Sequence, residues 1–220
     1  MPREKPQNKR LSGAKQNSAP RYPSRERASP DAGSSQLATE IERLREQLSR
    51  SEARIEALEK SAHEDALTGL LNRRGFERAF AQAIAYLKRY GGSAALLYLD
   101  LDRFKPINDE YGHAVGDVVL QEIARLLLGS VRASDLAARL GGDELALVLW
   151  NLDAKQMTTK TRSLEELIAR ASFEVGGNKL DVGASIGGVM LEGDDTLAGA
   201  LQRADAAMYA RKKERKAAHT

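Results

Sequence analysis

From Leu37 the apolar positions run Leu37, Ile41, Leu44, Leu48, Ser51, Ile55, Leu58 and Ala62, separated alternately by four and three residues. That spacing predicts a helix carrying a heptad seam, with Ile41, Leu48, Ile55 and Ala62 at a and the others at d. β-branched residues at a with Leu at d favour two parallel strands. The flanking charges agree. Glu40 would face Arg45 of a second copy, and Arg54 would face Glu59; Gln47 against Glu52 is indifferent. Ser51 is the weak layer. Outside the seam the segment is almost uniformly polar, so a second copy covers it better than its own domain would. So few heptads are marginal alone and need support from the domain C-terminal to them.

After His63 the period changes repeatedly. Phe76, Phe80, Ala83, Ile84 and Leu87 are spaced for a helix over Gly75–Tyr90, ended by Gly91-Gly92. Ala94–Leu99 reads as a buried strand. A helix is expected to open at Gly116 or Asp117 and run toward Gly129, with the stretch Asn108–Asp117 as the connection leading into it. Leu136–Leu140 and Leu145–Trp150 flank Gly141-Gly142 as a hairpin. Asp153 opens a helix to about Arg170. Phe173–Val175 is expected to pair with Leu180–Val189 across Gly176-Gly177-Asn178, and Thr196–Lys213 is the last helix. This order predicts an α/β fold in which helices pack on a mainly antiparallel sheet.

Composition divides the chain into segments 1–35, 36–62 and 63–215. Five of the six prolines and eight of the 34 Lys/Arg, against three of the 31 Asp/Glu, fall within residues 1–35. That tail is basic and reads as disordered. The remainder is slightly acidic, so the high isoelectric point does not mark a basic face and no nucleic-acid partner is expected. Cysteine is absent, which removes disulfides and thiolate metal sites. No run is apolar enough to span a bilayer and no secretory leader is visible, so a cytoplasmic protein is expected.

The chemistry concentrates in two acidic clusters. Asp100-Leu101-Asp102 closes the first strand, and Asp143-Glu144 follows the glycine pair. Asp100 and Asp102 are expected to point to opposite faces, so that only one joins a given site. One carboxylate from each cluster, together with phosphate oxygens, would make a site for Mg²⁺. Asn108 and Asp117 have the groups to read guanine: a carboxylate accepts from N1–H and the exocyclic amine, and an amide serves O6, which favours GTP over ATP.

Several ordered motifs now coincide. Asp65-Ala66-Leu67-Thr68-Gly69-Leu70-Leu71-Asn72-Arg73-Arg74, the stretch Asp100–Asp109, Gly112-His113 with Gly116-Asp117, Gly141-Gly142-Asp143-Glu144, Ser185-Ile186-Gly187 and Ala204–Lys212 resemble the GGDEF family of diguanylate cyclases over roughly residues 63–215. The resemblance implies a palm-like, nucleotide-cyclase-like sheet flanked by helices and preceded here by the coiled-coil helix. It implies Mg²⁺ (or Mn²⁺) held by Asp100, the Leu101 carbonyl and Asp143. Substrate would be held by Asn108, Asp117, His113, the Phe104 backbone, Lys212 and Lys216. Lys105 would stabilise phosphate charge, and Asp143 or Glu144 would help deprotonate the attacking hydroxyl. Arg132 and Asp135 stand at the spacing of an inhibitory site for the product. The implied reaction turns two GTP into cyclic di-GMP and two pyrophosphates between two facing domains, with room for a regulatory protein partner as the input. Two departures are visible. Leu145 replaces the Phe of the signature, giving Gly-Gly-Asp-Glu-Leu, which keeps an apolar side chain of smaller volume. Lys216 stands where the family pattern has Arg, keeping the charge without the planar fork.

Overall fold

A computed structural model describes residues 31–171, 173–175 and 177–218; of the expected disordered tail 1–35, residues 1–30 lie outside the described residues, as does the side chain of Lys216, whereas residues 31–35 are helical, against that expectation. The chain divides into two units, residues 1–50 and 51–220. Helix α1 spans Asp31–His63. Along it Leu37, Ile41, Leu44, Leu48, Ile55 and Leu58 are 48–66 % exposed, so these six seam positions are uncovered in a single chain, while Ala62 is partly buried. The charges on α1 pair within the helix, Glu40 with Arg43 and Glu46 with Arg50, in exposed contacts worth little each.

The second unit continues with α2 (Arg73–Tyr90), β1 (Ala94–Asp102), α3 (Phe104–Tyr111), α4 (His113–Ser130), β2 (Leu136–Gly141), β3 (Glu144–Trp150), α5 (Ala154–Arg170), β4 (Phe173–Val175), β5 (Asn178–Leu180), β6 (Gly183–Met190) and α6 (Leu197–Ala218). The main sheet has the order β2-β3-β1-β6, with every neighbouring pair antiparallel. β1 lies inside and is covered on both faces, which is why its sequence is nearly continuous apolar. Leu97, Leu99 and Leu101 join Leu145, Leu147 and Leu149 in one core with α4 and α5. Ala94, Leu96, Ala146 and Val148 form the other core with Phe76 and Phe80 of α2 and Ala200 and Ala204 of α6. Leu145 is fully buried opposite Leu99, so the shorter side chain of the departed signature sits within packed core.

Local chemistry explains the starts of the elements. Asn72 caps α2 by accepting from the Gly75 N–H at 2.8 Å, and its amide donates to the carbonyls of Ala62 and Glu64 at 3.1 Å each. A Cβ at Gly75 would lie 2.2 Å from the His63 carbonyl oxygen, so only glycine fits there. Asp153 and Gln156 form a reciprocal capping box on α5.

Three expectations are corrected. Asn108–Tyr111, read as part of a connection, belongs to helix α3 (Phe104–Tyr111), and α4 begins at His113. The break between them is Gly112 at φ 85, a conformation glycine adopts cheaply. Asp117 is therefore inside α4 and does not cap it; the N-cap is Gly112, with no side-chain bond. The second strand pair is also different. β4 pairs with the short β5 as a separate ribbon, and β6 joins the main sheet beside β1. The apolar run through Val182 hid the break at Asp181-Val182, because continuous burial carries no period. Finally, the hairpin turn is Gly142-Asp143, with Gly141 still paired to Glu144. No helix among the described residues is long and apolar enough to cross a membrane.

Candidate functional site

The register of β1 against β3 sets Asp100 directly opposite Glu144. One residue on, the Leu101 N–H reaches the Asp143 carbonyl oxygen at 3.4 Å. The two acidic clusters, some forty residues apart in sequence, are thus joined at one end of the sheet. Asp143 and Glu144 are both partly buried there.

Two arginines, Arg73 at the start of α2 and Arg139 on β2, fix the turn. Arg73 donates from Nε to the Leu140 carbonyl at 3.0 Å and lies 3.6 Å from Glu144. Arg139 donates to the Gly142 carbonyl at 3.0 Å while its Nη1 binds both oxygens of Asp65, at 3.2 and 3.3 Å. Asp65 also accepts from the Thr68 N–H and hydroxyl. Burial pushes the Asp65 carboxyl up, but the Thr68 hydrogen bonds and the Arg139 charge outweigh it, leaving the group below its ordinary value of 3.8. A carboxyl depressed by folding contributes stability above its unfolded pKa and loses it as pH falls through the folded value. Asp65→Asn is expected to be about 1–2 kcal/mol less stable at pH 6, with the gap closing as both proteins are titrated toward pH 2. Urea midpoints across that range check it; a gap independent of pH would detach Asp65 from the network.

Tyr98, two residues before Asp100 on the same face, donates to Glu144 Oε1 at 2.7 Å. Burial, then that hydrogen bond, hold the Tyr98 phenol well above its usual range, so it is a fixed donor. Sequence alone did not single out Tyr98, since a tyrosine in an apolar strand reads as core.

Asp100 and Asp102 were expected to diverge, and this is wrong. Residues two apart on a strand share a face, and the Lys212 ammonium from α6 touches both, at 2.7 Å from Asp100 and 3.4 Å from Asp102. Both Asp102 oxygens also accept from the Ser185 hydroxyl, at 2.9 and 3.0 Å. Burial pulls the Lys212 pKa down, but the hydrogen bond and charge of Asp100, with Asp102 behind them, leave it above the ordinary lysine value.

Past the strand end, Arg103 adopts φ 63 and α3 starts at Phe104 with no side-chain cap. The first N–H groups of that helix are therefore available to an anion, and Lys105 is exposed beside them. Phe104 itself is buried in the core, anchoring the turn. On the same helix, Asn108 packs against α4 at Gly116. A Cβ there would sit 1.9 Å from the Asn108 amide oxygen, so the glycine makes room for it beside the exposed Asp117. His113 is exposed at the first position of α4.

Arg132 and Asp135 stand elsewhere. The Asp135 carboxylate accepts from the Arg132 N–H at 2.8 Å and from the Trp150 N–H at 3.1 Å. Trp150 ends β3, the strand that Glu144 begins, so the two sites are separated by the strand's length, about 20 Å at roughly 3.3 Å per residue. Both residues line a cavity of about 530 Å³ shared with Glu64, Leu70, Leu71 and Leu136.

Among the described residues no three His, Cys, Asp or Glu side chains cluster as a metal cage. Asp100 and Asp143 with a backbone carbonyl are a smaller set of hard oxygens. That suits Mg²⁺, which keeps waters and takes substrate phosphate as further ligands. The acidic strand end already attracts one cation, the Lys212 ammonium, so its field fits the ion.

Residues 62–218 match the family model described as "Diguanylate cyclase, GGDEF domain". Diguanylate cyclase TpbB of Pseudomonas aeruginosa is 37 % identical over 200 residues, covering 86 % of this chain and 46 % of that protein. Diguanylate cyclase DosC of Escherichia coli is 32 % identical over 180 residues, covering 81 % of this chain and 37 % of its own length. This chain therefore spans less than half of these relatives. Among solved structures, the coiled coil and GGDEF domain of DgcB from Caulobacter crescentus in complex with c-di-GMP has a TM-score of 0.74 at 26 % identity, covering 81 % of this chain and 95 % of that one. Diguanylate cyclase SiaD in complex with its activator SiaC, from Pseudomonas aeruginosa, gives 0.66 at 33 % identity, covering 83 % and 75 %. With its antiparallel sheet, its joined acidic clusters and a family match across most of its length, this chain belongs to the GGDEF-domain family of diguanylate cyclases.

Proposed function

We propose that this protein is a diguanylate cyclase that condenses two GTP into cyclic di-GMP with release of two pyrophosphates, acting as a homodimer in the cytoplasm. The observation that carries the reading is the register joining Asp100 and Leu101 to Asp143 and Glu144 within reach of Lys212. Asn108 and Asp117 hold the guanine, with His113 at the rim. The start of α3 and Lys105 receive phosphate oxygens, Lys212 takes the β- and γ-phosphates, and Lys216 follows it on α6. Asp100, the Leu101 carbonyl and Asp143 would hold Mg²⁺ (or Mn²⁺), which neutralises charge on the phosphoryl oxygens. Asp143 or Glu144 draws the proton from the attacking 3′-hydroxyl; Tyr98 and Arg73 keep the Glu144 carboxylate in place for that role or as its neighbour. Positioning supplies most of the remaining rate. One domain presents one GTP, so two must face each other, and the exposed seam of α1 is the surface that brings a second copy.

Incubation of the full chain with GTP and Mg²⁺, with products separated by chromatography, tests this. Cyclic di-GMP and pyrophosphate are expected. Binding of cyclic di-GMP without turnover would make the chain a receptor that signals through its coiled coil.

Product inhibition belongs to the same reading. Arg132 can grip guanine or phosphate with its planar fork, and its distance from the acidic turn makes any effect indirect. Arg132→Ala is expected to raise the half-inhibitory product concentration by about tenfold, in line with loss of one bidentate pair, with initial rates unchanged. An unmoved midpoint in product-titrated assays would remove Arg132 from the site. The activator seen with SiaD suggests the class of input: a regulatory protein acting on the dimer.

A further inference from the structure

Glu165 is buried on α5, and the reaction proposed above does not use it. Its Oε1 accepts from the Ile186 N–H at 3.0 Å, and its Oε2 accepts from Arg211 at 2.8 Å. Arg211 closes the loop by donating to the Ile186 carbonyl at 2.8 Å. Ile186 lies on β6, an edge strand of the sheet. Alternate residues of such a strand present N–H and C=O away from the sheet, where they need partners. Here an ion pair fills the place of a neighbouring strand, Glu165 receiving the N–H and Arg211 serving the carbonyl.

The consequence lies one residue further on. Arg211 is followed by Lys212, so the two adjacent side chains reach apart, Arg211 over the edge strand to α5 and Lys212 to Asp100 and Asp102 on β1. Upstream, α6 rests its backbone on β6, since a Cβ at Gly187 would lie 1.9 Å from the Ala204 carbonyl oxygen and 2.6 Å from the Met208 nitrogen. The bond from Lys212 to Asp100 cannot serve as an anchor during turnover, because both groups are needed elsewhere: Asp100 by a cation, Lys212 by phosphate. The pair at Glu165 is better protected, with side chains only 10 % and 27 % exposed against 33 % and 30 % for Asp100 and Lys212.

We propose that Glu165 and Arg211 are positioning residues that hold this turn of α6 on the sheet edge, so that Lys212 stays poised when it leaves Asp100 for the terminal phosphates of GTP. The inference rests on the reading of GTP as substrate.

The test uses the full chain with Mg²⁺ and two probes, an α,β-methylene analogue of GTP and GMP, titrated against wild type, Glu165→Gln, Arg211→Lys, Lys212→Ala and the double variant Glu165→Gln/Lys212→Ala. Gln keeps an acceptor for the Ile186 N–H and nearly the same volume but loses the charge that holds Arg211. Lys at 211 keeps the charge but lacks the planar fork whose two arms serve the Ile186 carbonyl and Glu165. Each single variant is expected to weaken the triphosphate about fivefold to tenfold while leaving GMP unchanged, and the double variant to be no weaker than Lys212→Ala, because coupled groups are not additive. Equal loss of both probes would show general loosening and overturn the proposal. So would unchanged triphosphate binding, or an additive double variant. If the wild type fails to bind the triphosphate, the GTP reading itself falls and takes this inference with it; failure confined to the variants sinks the inference alone.

Discussion

Asp100→Asn and Asp143→Ala are each expected to lower cyclic di-GMP formation by about three orders of magnitude or more, whereas Asp102→Asn is expected to cost about tenfold or less. Loss of a ligand to a catalytic cation forfeits several kcal/mol of transition-state charge stabilisation, and each 1.36 kcal/mol is a factor of about ten. The contrast between the two strand-end aspartates comes from their partners. Asp102 has both oxygens engaged by the Ser185 hydroxyl and a longer contact to Lys212, which is the pattern of a group that fixes its surroundings. Asp100 has the shorter Lys212 contact and lies opposite Glu144. Initial rates at saturating GTP and Mg²⁺, with melting temperatures alongside, check the ranking. Equal losses at 100 and 102 would mean that both carboxylates serve the cation, and an active Asp100→Asn would remove the proposed metal site. Asp100→Asn should not unfold the protein, since the carboxylate is about one-third exposed and its partner Lys212 can turn to Asp102.

The helices and central strands were legible because their signals are periodic or bounded. Phe76, Phe80 and Leu87 mark one face of α2, and Gly91 ends it; Asp153 announces α5. What escaped was local geometry without a period. Helix α3 is two turns long, contains Pro106 and begins at an arginine in the left-handed region, so neither a capping residue nor a long apolar stripe marks it. The β4–β5 ribbon was merged with β6 because an apolar residue, Val182, fills the short link at Asp181-Val182.

In the site, residue types pointed to metal, phosphate and guanine, and the meeting of the two acidic clusters was an expectation that the register of β1 against β3 bears out, setting Asp100 opposite Glu144. The placement of Asp102 was misjudged by ignoring that side chains two apart share a face. The supporting contacts were invisible for a different reason. Arg139 to Asp65, Ser185 to Asp102 and Arg211 to Glu165 join residues 46 to 83 positions apart. Nothing in spacing or composition pairs one surface-type Arg with one acid rather than another; only the register of the sheet does. The arginine contacts at the turn also show why the motif at Asp65–Arg74 stands where it does: it carries Arg73 and the carboxylate that aims Arg139, and its Asn72 ties the end of α1 to the start of α2.

Removing residues 36–62 is expected to lower specific activity by about 10²- to 10³-fold at nanomolar to micromolar enzyme, and the loss is expected to shrink as enzyme concentration rises. The proposed reaction needs two GTP-loaded domains, so without a link its rate would be second order in protein. A linked pair meets at an effective concentration on the order of millimolar. The seam exposes six Leu and Ile side chains along one stripe of α1, and pairing two such stripes buries each of them, at roughly 25 cal/mol per Å² of apolar surface. The same argument fixes the signature of the loss. Deletion removes the Ala62 carbonyl that accepts from Asn72 but leaves the sheet and both cores intact, so GTP binding to each half-site should be retained and the melting transition of residues 63–215 should persist. Only the dependence of rate on enzyme concentration should change, from first to second order. A chain shortened in this way that keeps full turnover at nanomolar concentration would show that the domains pair through their own surfaces, and the stalk would lose its part in catalysis. A smaller version of the effect is expected from Ser51→Leu, which fills the weak d layer. It should tighten the dimer and hold specific activity constant to lower enzyme concentrations, as sedimentation and dilution assays would read out.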